Sequence, residues 1–269
     1  MPYSQYYKKS HMLHGSLLNI MGTVLDILLI LDNESLAETV WRDIVAEVER
    51  LHCMFNRFDP TSELSVINRQ AVLRPVTLND EWWYVLCDAE TYHRRTFGYF
   101  DVSLHDYRKV QLDAERHAVF FEEPLITLNF GGYAKGYALK KIQRILLAAG
   151  IRQALVNFGN SSVLALGAHP HGEAWNIGVA NPFMPEQTLK TYTLCNNSLS
   201  TSGNTSTHTQ HIINPHTGTY TPERKVVSAV SADCTDSEVL TTALMVADDT
   251  AAQKIKKVFP ATKYDIFVI

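Results

Sequence analysis

The sequence predicts an α+β fold for the 269 residues, organised as a single domain over 1–269. Segments of strand-like composition and segments with helical periodicity follow one another without the strict alternation that a doubly wound parallel sheet requires. The sequence contains no internal repeat, low-complexity tract or Gly/Ser linker, so a subdomain boundary would have to lie in an ordinary loop. Hydrophobic residues make up 46% of the chain and charged residues 19%, a balance typical of a globular domain with a large core.

The first predicted elements are a strand and a long amphipathic helix. Residues 22–31 are rich in β-branched and aliphatic types and end at Asp32–Asn33, which indicates a strand that leads into a turn. Ser35–Glu38 matches a capping box, and the helix that starts there is predicted to reach Phe55 and to pack on the first sheet. Apolar residues recur at helical spacing in this segment, at Leu36, Val40, Ile44, Val48 and Leu51.

Two further helices are predicted to end at glycines. The second runs from about Asp80 to Gly98, because glycine readily takes the left-handed conformation that ends many helices. Residues 119–130 are interpreted as a strand or hairpin arm that enters Gly131–Gly132. Residues 134–147 then have helical periodicity and stop before the next glycine.

Short strands dominate the rest of the chain, with two helices near its end. A stretch rich in Ser, Thr, Asn and His, Asn196–Pro222, is predicted to be a functional loop, because loops of that length are seldom without a role. Strands are predicted at 153–158, 162–167, 175–180, 189–195, 225–232 and 264–269, and helices at 236–247 and 250–258.

Charge and composition exclude several classes of partner. The chain has 24 Lys and Arg against 28 Asp and Glu, so it lacks the basic excess that neutralises a nucleic acid backbone. The apolar run Val24–Leu31 contains Asp26 and is far shorter than the ~20 residues that span a membrane. The four cysteines form no CxxC pair and no secretory leader is visible. We therefore expect a cytoplasmic protein, or a periplasmic one if a leader has been removed.

The glycine pair lies in a segment with features of a phosphate site. In Asn129–Gly136 the glycines precede a helix and Lys135 falls in its first turn. Free backbone N–H groups and the positive end of the helix dipole attract anions there, and glycine lets the backbone approach closely. The spacing matches neither GxGxxG nor a P-loop, and a purely structural glycine turn is the alternative.

A second polar cluster lies in the loop His208–Gly218. Its hydroxyl and imidazole groups are more numerous than a turn needs, which favours binding of a polar ligand. The alternative is a surface hairpin closed at Asn214–Pro215 and Thr217–Gly218. A metal site at His208 and His211 is a weaker interpretation, because no carboxylate lies nearby in the sequence.

Glu238 and Thr242 are four residues apart on a predicted helix and therefore share one face. A carboxylate and a hydroxyl oxygen are ligands that hard cations such as magnesium accept. The alternative is a solvated helix face with no ligand role.

These segments occur in an order that resembles the ApbE family from about residue 18 to the C-terminus, leaving residues 1–17 as an N-terminal extension. The last blocks resemble the family's STSG and HII(D/N)PxTG strings. The matching blocks are Met21–Thr23, Ser62–Asn68, the glycine turn, Ser200–Gly203, His211–Gly218 and Thr242–Leu244.

The resemblance implies a fold and an activity. Members have two closely packed mixed α/β lobes with largely antiparallel sheets and hold FAD, with magnesium, between them. They move FMN from FAD to a Thr or Ser hydroxyl of an acceptor flavoprotein and release AMP. Transferred block by block, the residues implied to contact FAD are Met21, Phe58, Tyr99, Phe100, Asp101, Asn129, Lys135 and Ile212.

The resemblance also implies a metal site and a base. Magnesium would be held by the backbone carbonyl of Gly132 with Glu238 and Thr242, while His211 and Ile212 face the pyrophosphate. We interpret His211 as the catalytic base, since an imidazole with a pKa of about 6.5 suits proton transfer at neutral pH.

The chain departs from the family pattern mainly at this site. Asn129 and Glu238 stand where aspartates are usual, Asn160 replaces a glycine, and Asp101–Tyr107 replaces the family's D-P-T-V-G-P-L. Three functions therefore stay open: a magnesium-dependent FMN transferase, a magnesium-dependent FAD pyrophosphatase, and an FAD-binding paralogue with weakened catalysis.

Overall fold

A computed structural model describes residues 2–205, 212–221 and 224–269. The described strands are β1 (Tyr3–Tyr7), β2 (Met12–Ile20), β3 (Thr23–Ile30), β4 (Val76–Thr77), β5 (Val110–Asp113), β6 (Ala118–Phe121), β7 (Ala154–Phe158), β8 (Ser162–Leu166), β9 (Trp175–Asn181), β10 (Met184–Leu194), β11 (Asn197–Gly203), β12 (Ile213–Asn214), β13 (Thr219–Tyr220), β14 (Lys225–Ser231) and β15 (Lys263–Val268). The helices are α1 (Glu34–Phe55), α2 (Glu63–Gln70), α3 (Asp80–Arg95), α4 (Ala134–Ala148), α5 (Cys234–Val246) and α6 (Asp249–Val258), with a 3₁₀ turn at Tyr107–Lys109.

An eight-stranded sheet forms the centre of the protein, in the order β1-β2-β3-β7-β8-β11-β14-β15. Every neighbouring pair is antiparallel. The residues before 18 contribute β1 and the first half of β2 to one edge of this sheet. The α+β class predicted from the sequence is therefore confirmed.

The two faces of the sheet bury different layers. Alternate side chains of a strand point to opposite faces, so Val156 joins the core under the helices while Leu155 packs on the other side. Helices α1, α4 and α5 cover the first face, and the β9–β10 hairpin covers the second through Trp175 and Leu194. A Cβ on Gly15 would lie 2.8 Å from the Trp41 ring, so α1 lies directly on β2, as predicted.

A smaller region of α2, α3 and the three-stranded sheet β4-β6-β5 packs beside α1 and α4. An aromatic cluster joins the two regions. The Phe55 ring centroid lies 5.5 Å from that of Trp82 and 5.3 Å from that of Phe130, and Tyr133 packs against the same group. Because Phe130 and Tyr133 flank Gly131–Gly132, this cluster anchors the glycine turn from both ends.

Helix boundaries differ from the prediction at two places. The N-cap of α1 is Asn33, whose side chain accepts a hydrogen bond from Leu36 N at 3.0 Å, so the capping box at Ser35 does not form the start. Helix α3 ends at Arg95 rather than Gly98. Phe97 and Gly98 both have positive φ, and Gly98 N donates to His93 O at 2.8 Å, which closes the helix end.

Two predictions about strand positions were only partly right. Strand β6 ends at Phe121, and the following residues run to the glycine turn without a strand partner. The Asn68 side chain makes the hydrogen bonds that a neighbouring strand would otherwise make: it accepts from Leu128 N at 2.8 Å and donates to Leu128 O at 3.0 Å. Conversely, the segment predicted as a polar loop begins with strand β11, whose buried hydroxyls are hydrogen-bonded to α5.

Candidate functional site

The glycine turn is held in place by side-chain amides. Asn129 Oδ1 accepts a hydrogen bond from Gly131 N at 2.9 Å, and Asn129 N donates to Val102 O at 2.7 Å. Asn68 fixes Leu128, the residue before Asn129, by accepting a hydrogen bond from its backbone N–H. The asparagine at 129 therefore shapes the turn with its carbonyl oxygen, an acceptor that an aspartate would also supply.

Two glycines bring the start of α4 against α5. A Cβ on Gly132 would lie 2.7 Å from Thr242 Oγ1, and a Cβ on Gly136 would lie 2.7 Å from the Glu238 Cβ. Gly132 and Gly136 are four residues apart and therefore face the same side, as residues at this spacing do on a helix. Because neither has a side chain, the backbone at the start of α4 lies directly against α5. This close approach places Lys135, Glu238 and Thr242 in one corner.

Glu238 is the buried centre of this corner, with only 4% of its surface exposed. Its Oε1 atom pairs with the Lys135 ammonium. Its Oε2 atom accepts hydrogen bonds from Ser162 Oγ at 2.5 Å and Ser200 Oγ at 2.6 Å. A buried carboxylate is stable only when paired and hydrogen-bonded, and Glu238 meets both conditions.

Strand β11 presents a row of hydroxyls to α5. Ser198 Oγ lies 2.9 Å from Ser237 Oγ, Ser200 Oγ bonds to Glu238, and Ser202 Oγ donates to Thr241 Oγ1 at 2.9 Å. These serines are two residues apart, so they lie on one face of the strand. Sequence reasoning missed the roles of Ser162 and Ser200, because a serine-rich segment is also typical of a loop.

The residues implied to hold magnesium lie together. Gly132 contacts Thr242, and Thr242 Oγ1 donates to Glu238 O at 3.3 Å. A carboxylate, a hydroxyl and a backbone carbonyl are oxygen donors of the type that magnesium prefers, so the donor set fits this cation. The described ranges contain no cluster of three or more His, Cys, Asp or Glu residues suited to a metal. Of the three implied ligands, Glu238 is the charged one, and its carboxylate is already paired with the Lys135 ammonium.

The N-terminus of α5 carries further ionised groups beside this corner. Asp233 caps the helix, accepting from Thr235 N at 2.8 Å, and binds Lys140 Nζ at 2.6 Å. Burial disfavours the Asp233 carboxylate, but the bond from Lys140 and the capping N–H groups outweigh it and lower its pKa. Burial raises the pKa of Asp236, although Tyr92 Oη donates to its carboxylate at 2.7 Å.

Met21 and Phe58, two implied FAD contacts, lie in turns. Met21 and Gly22 both have positive φ and join β2 to β3, the geometry of a tight hairpin turn. Met21 N donates to His52 Nδ1 at 3.1 Å. The Phe58 side chain is 81% exposed, with the Arg57 guanidinium 4.4 Å from its ring centroid. An aromatic ring this exposed is available for stacking.

Tyr99, Phe100 and Asp101 present different surfaces. The Asp101 carboxylate is buried and accepts from Ser103 N at 2.7 Å and Tyr107 N at 2.9 Å, so it organises its own loop. Phe100 is buried in the core, whereas the partly exposed Tyr99 ring lies 4.4 Å from the His216 ring. Among these three residues, only Tyr99 is partly exposed, and its side chain also packs against the main core.

The polar loop after β11 is described only in part. Residues 213–220 form the hairpin β12–β13, closed by a bond from Gly218 N to Asn214 O at 2.8 Å, which agrees with the hairpin alternative. Ile212 packs against the main core, and its carbonyl accepts from Thr221 N at 3.0 Å. The predicted base His211, and His208, lie outside the described residues.

A cavity of about 1280 Å³ lies between α3, the loop after Asp101, β5 and Pro215–Gly218. Asp101 lines it, whereas Lys135, Glu238 and Thr242 do not. The cavity and the Glu238 corner are therefore separate features.

Comparisons with known proteins agree on one family. A model of the ApbE family matches residues 21–106 and 103–262. A protein of Chlamydia muridarum named FAD:protein FMN transferase is 27% identical over 230 residues, covering 71% of this chain and 70% of the relative. One of the same name from Chlamydia trachomatis is 25% identical over 258 residues, covering 78% of each.

Solved structures have the same fold at lower identity. The flavin transferase ApbE of Vibrio cholerae superposes with a TM-score of 0.84 at 18% identity, covering 99% of this chain and 94% of that one. The ApbE protein of Thermotoga maritima has a TM-score of 0.81 at 22% identity, covering 98% of this chain and 94% of that one.

None of the helices in the described part of the chain has the length and apolar composition that crossing a membrane requires.

Proposed function

The chain belongs to the ApbE family, and from this membership we propose that it is a magnesium-dependent FAD:protein FMN transferase. Its Chlamydia relatives are named for FMN transfer from FAD. The observation that carries the proposal is the corner where Lys135, Glu238 and Thr242 meet the glycine turn at the start of α4. That corner combines a cation, oxygen donors and a helix N-terminus, which together suit a pyrophosphate.

The proposed reaction exchanges a phosphoanhydride bond of FAD for a phosphoester bond to the acceptor. A Thr or Ser hydroxyl oxygen of the acceptor flavoprotein attacks the phosphorus on the FMN side of the FAD pyrophosphate. A new P–O bond to the acceptor forms, the bond to the AMP phosphate breaks, and AMP leaves with the electron pair. The hydroxyl proton passes to a base, for which His211 is proposed from its position in the sequence.

We propose that the start of α4 binds the pyrophosphate. Lys135 lies in the first turn of α4, a helix start that no side chain caps, and its ammonium together with the positive end of the helix dipole favours an anion there. The Asn129 side chain fixes the shape of this turn by accepting a hydrogen bond from Gly131 N. A bound magnesium ion, held by the Gly132 carbonyl, Glu238 and Thr242, would neutralise charge that develops on the phosphates.

The flavin and adenine ends of FAD are proposed to contact residues around this corner. Phe58 provides an exposed aromatic ring and Met21 a partly buried apolar side chain for contact with a ring system, and Tyr99 provides an aromatic face. Phe100 and Asp101 would contribute through their backbone, because their side chains are buried. Ile212 is proposed to face the pyrophosphate beside His211.

The proposal is tested by incubating the protein with FAD, Mg²⁺ and purified candidate acceptor flavoproteins, followed by intact-mass analysis of each acceptor. The expected result is a gain of one FMN on an acceptor, abolished when its target Thr or Ser is changed to Ala. FMN and AMP without any adduct would identify a pyrophosphatase instead. FAD binding without turnover would identify a binding protein.

A further inference from the structure

The Glu238 carboxylate has no unpaired oxygen. Ser162 and Ser200 bond Oε2, and the Lys135 ammonium pairs with Oε1. The side chains of Lys135 and Glu238 are 20% and 5% exposed, so the pair lies largely away from water. A cation that binds Glu238 would therefore meet a site where another cation already neutralises the carboxylate.

Two cations cannot share this carboxylate at low cost. Among the described residues, the carboxylate oxygens of Glu238 contact one ammonium and two neutral serine hydroxyls, so the single negative charge is already balanced. In a buried environment the repulsion between an ammonium and a divalent ion is poorly screened. Binding of the divalent ion thus favours departure of the ammonium from Oε1.

Lys135 has an alternative position for its charge. It lies in the first turn of α4, whose start follows the glycine turn and has no side-chain cap. An anion bound at that helix end would attract the ammonium away from Glu238. Lysine suits such an exchange, since its ammonium is a point charge on a flexible stem.

We propose that Lys135 and a divalent cation compete for Glu238, and that Lys135 is a positioning residue that couples cation binding to FAD binding. This inference rests on the proposed function. Without FAD, the ammonium occupies the carboxylate and keeps cation affinity low. When the FAD pyrophosphate draws Lys135 towards the helix end, the carboxylate becomes free for the cation. Coupling of this kind is reciprocal, so each ligand raises the affinity for the other.

The test measures Mn²⁺ binding to the full chain by electron paramagnetic resonance, with Mn²⁺ as the probe for the divalent site. Lys135→Met removes the charge and keeps an unbranched side chain of similar length. We expect this variant to bind Mn²⁺ at least ~10-fold more tightly than the wild type when FAD is absent, because the competitor is gone. FAD should raise Mn²⁺ affinity in the wild type and have a smaller effect in the variant.

Lys140→Met is the matched control. Lys140 lies on the same helix and pairs with Asp233, so its loss removes one positive charge without freeing Glu238. Its Mn²⁺ affinity should equal that of the wild type. If Lys135→Met folds poorly, Lys135→Gln, which keeps a neutral donor for Glu238, should show the same increase.

Unchanged or weaker Mn²⁺ binding by folded Lys135→Met or Lys135→Gln overturns the competition. The same increase in Lys140→Met would also overturn it, because general charge would then be the cause. Since binding is the readout, failure of the competition is distinguishable from failure of the proposed transfer. A wild type that transfers FMN while Lys135→Met gains no Mn²⁺ affinity refutes this inference alone.

Discussion

Helix α4 pairs Lys135 with Glu238 at its beginning and Lys141 with Glu81 further along, and the two pairs have different surroundings. Glu81 lies on α3, is 23% exposed at the side chain, and is bonded by Arg50, Lys141 and Tyr137. Glu238 is 5% exposed and has a single cationic partner with two serine hydroxyls. One pair thus joins three helices near the surface, and the other lies inside the corner proposed for chemistry.

The comparison shows how the environment of a carboxylate indicates its role. Burial disfavours the ionised form of Glu81, but the bonds from Arg50, Lys141 and Tyr137 outweigh it and lower its pKa to about 2. Loss of one cation still leaves Glu81 another. Glu238 has one cationic partner, which, in the proposed competition, a metal ion would replace and a bound anion would draw away. We interpret Glu81 as a structural brace and Glu238 as a functional group.

The largest expected effect is on activity at Glu238. Glu238→Gln keeps the size of the side chain but removes the charged ligand, so FMN transfer should fall by about 100-fold or more. Glu81→Gln should change the rate by less than about threefold, because this side chain lies outside the corner. Initial rates of AMP release measure both. Equal losses of activity in the two variants would show that Glu238 and Glu81 do not differ in function.

The next effect is a packing change at the glycine turn. A Cβ on Gly132 would lie 2.7 Å from Thr242 Oγ1, so Gly132→Ala should force α4 and α5 apart. We expect a loss of about 1–3 kcal/mol in the free energy of unfolding, typical of overpacking, and weaker Mn²⁺ binding. Urea denaturation and Mn²⁺ titration provide the measurements. Gly172→Ala is the control, since its Cβ would have 4.0 Å of clearance.

A smaller effect on stability is expected at Glu81. Glu81→Gln removes the negative charge that Arg50 and Lys141 share, at a cost of about 1–2 kcal/mol. For a protein of this size, that corresponds to a decrease of several degrees, roughly 2–4 °C per kcal/mol, in the melting temperature. Thermal unfolding followed by circular dichroism measures this change. A melting temperature equal to that of the wild type would show that Glu81 is not a brace.

The smallest effect is the pH dependence of the same brace. The folded-state pKa of Glu81, about 2, lies below its ordinary value of 4.5. Its contribution is therefore fully present above about pH 4.5 and is lost as the pH falls towards 2. The difference in unfolding free energy between wild type and Glu81→Gln should shrink from pH 7 to pH 3. A difference in unfolding free energy that grows on acidification would contradict this predicted direction.

The sequence predicted the elements whose pattern is local. Helix α4 and the glycine turn before it could be predicted, because helical periodicity and the conformational freedom of glycine act within a few residues. Strand β11 could not, since its serines look like loop residues until the hydroxyl partners on α5, about 40 residues away in the chain, are known. Its stability comes from tertiary hydrogen bonds.

The candidate site was predictable in composition but not in connectivity. The resemblance assigned Lys135 to FAD and Glu238 to magnesium, and the structure pairs these two side chains with each other. That pairing depends on the packing of α4 against α5 through Gly132 and Gly136, which no local pattern encodes. Asn68 is a similar case, because its role as a partner for Leu128 depends on a contact 60 residues away.

The most direct test of the account is the ratio of AMP released to FMN attached. Wild-type protein, FAD, Mg²⁺ and an acceptor flavoprotein are combined, and AMP is quantified by chromatography while the adduct is quantified by intact mass. The account predicts one AMP for each FMN on the acceptor, with both products lost together in Glu238→Gln. AMP released with free FMN and no adduct would contradict it.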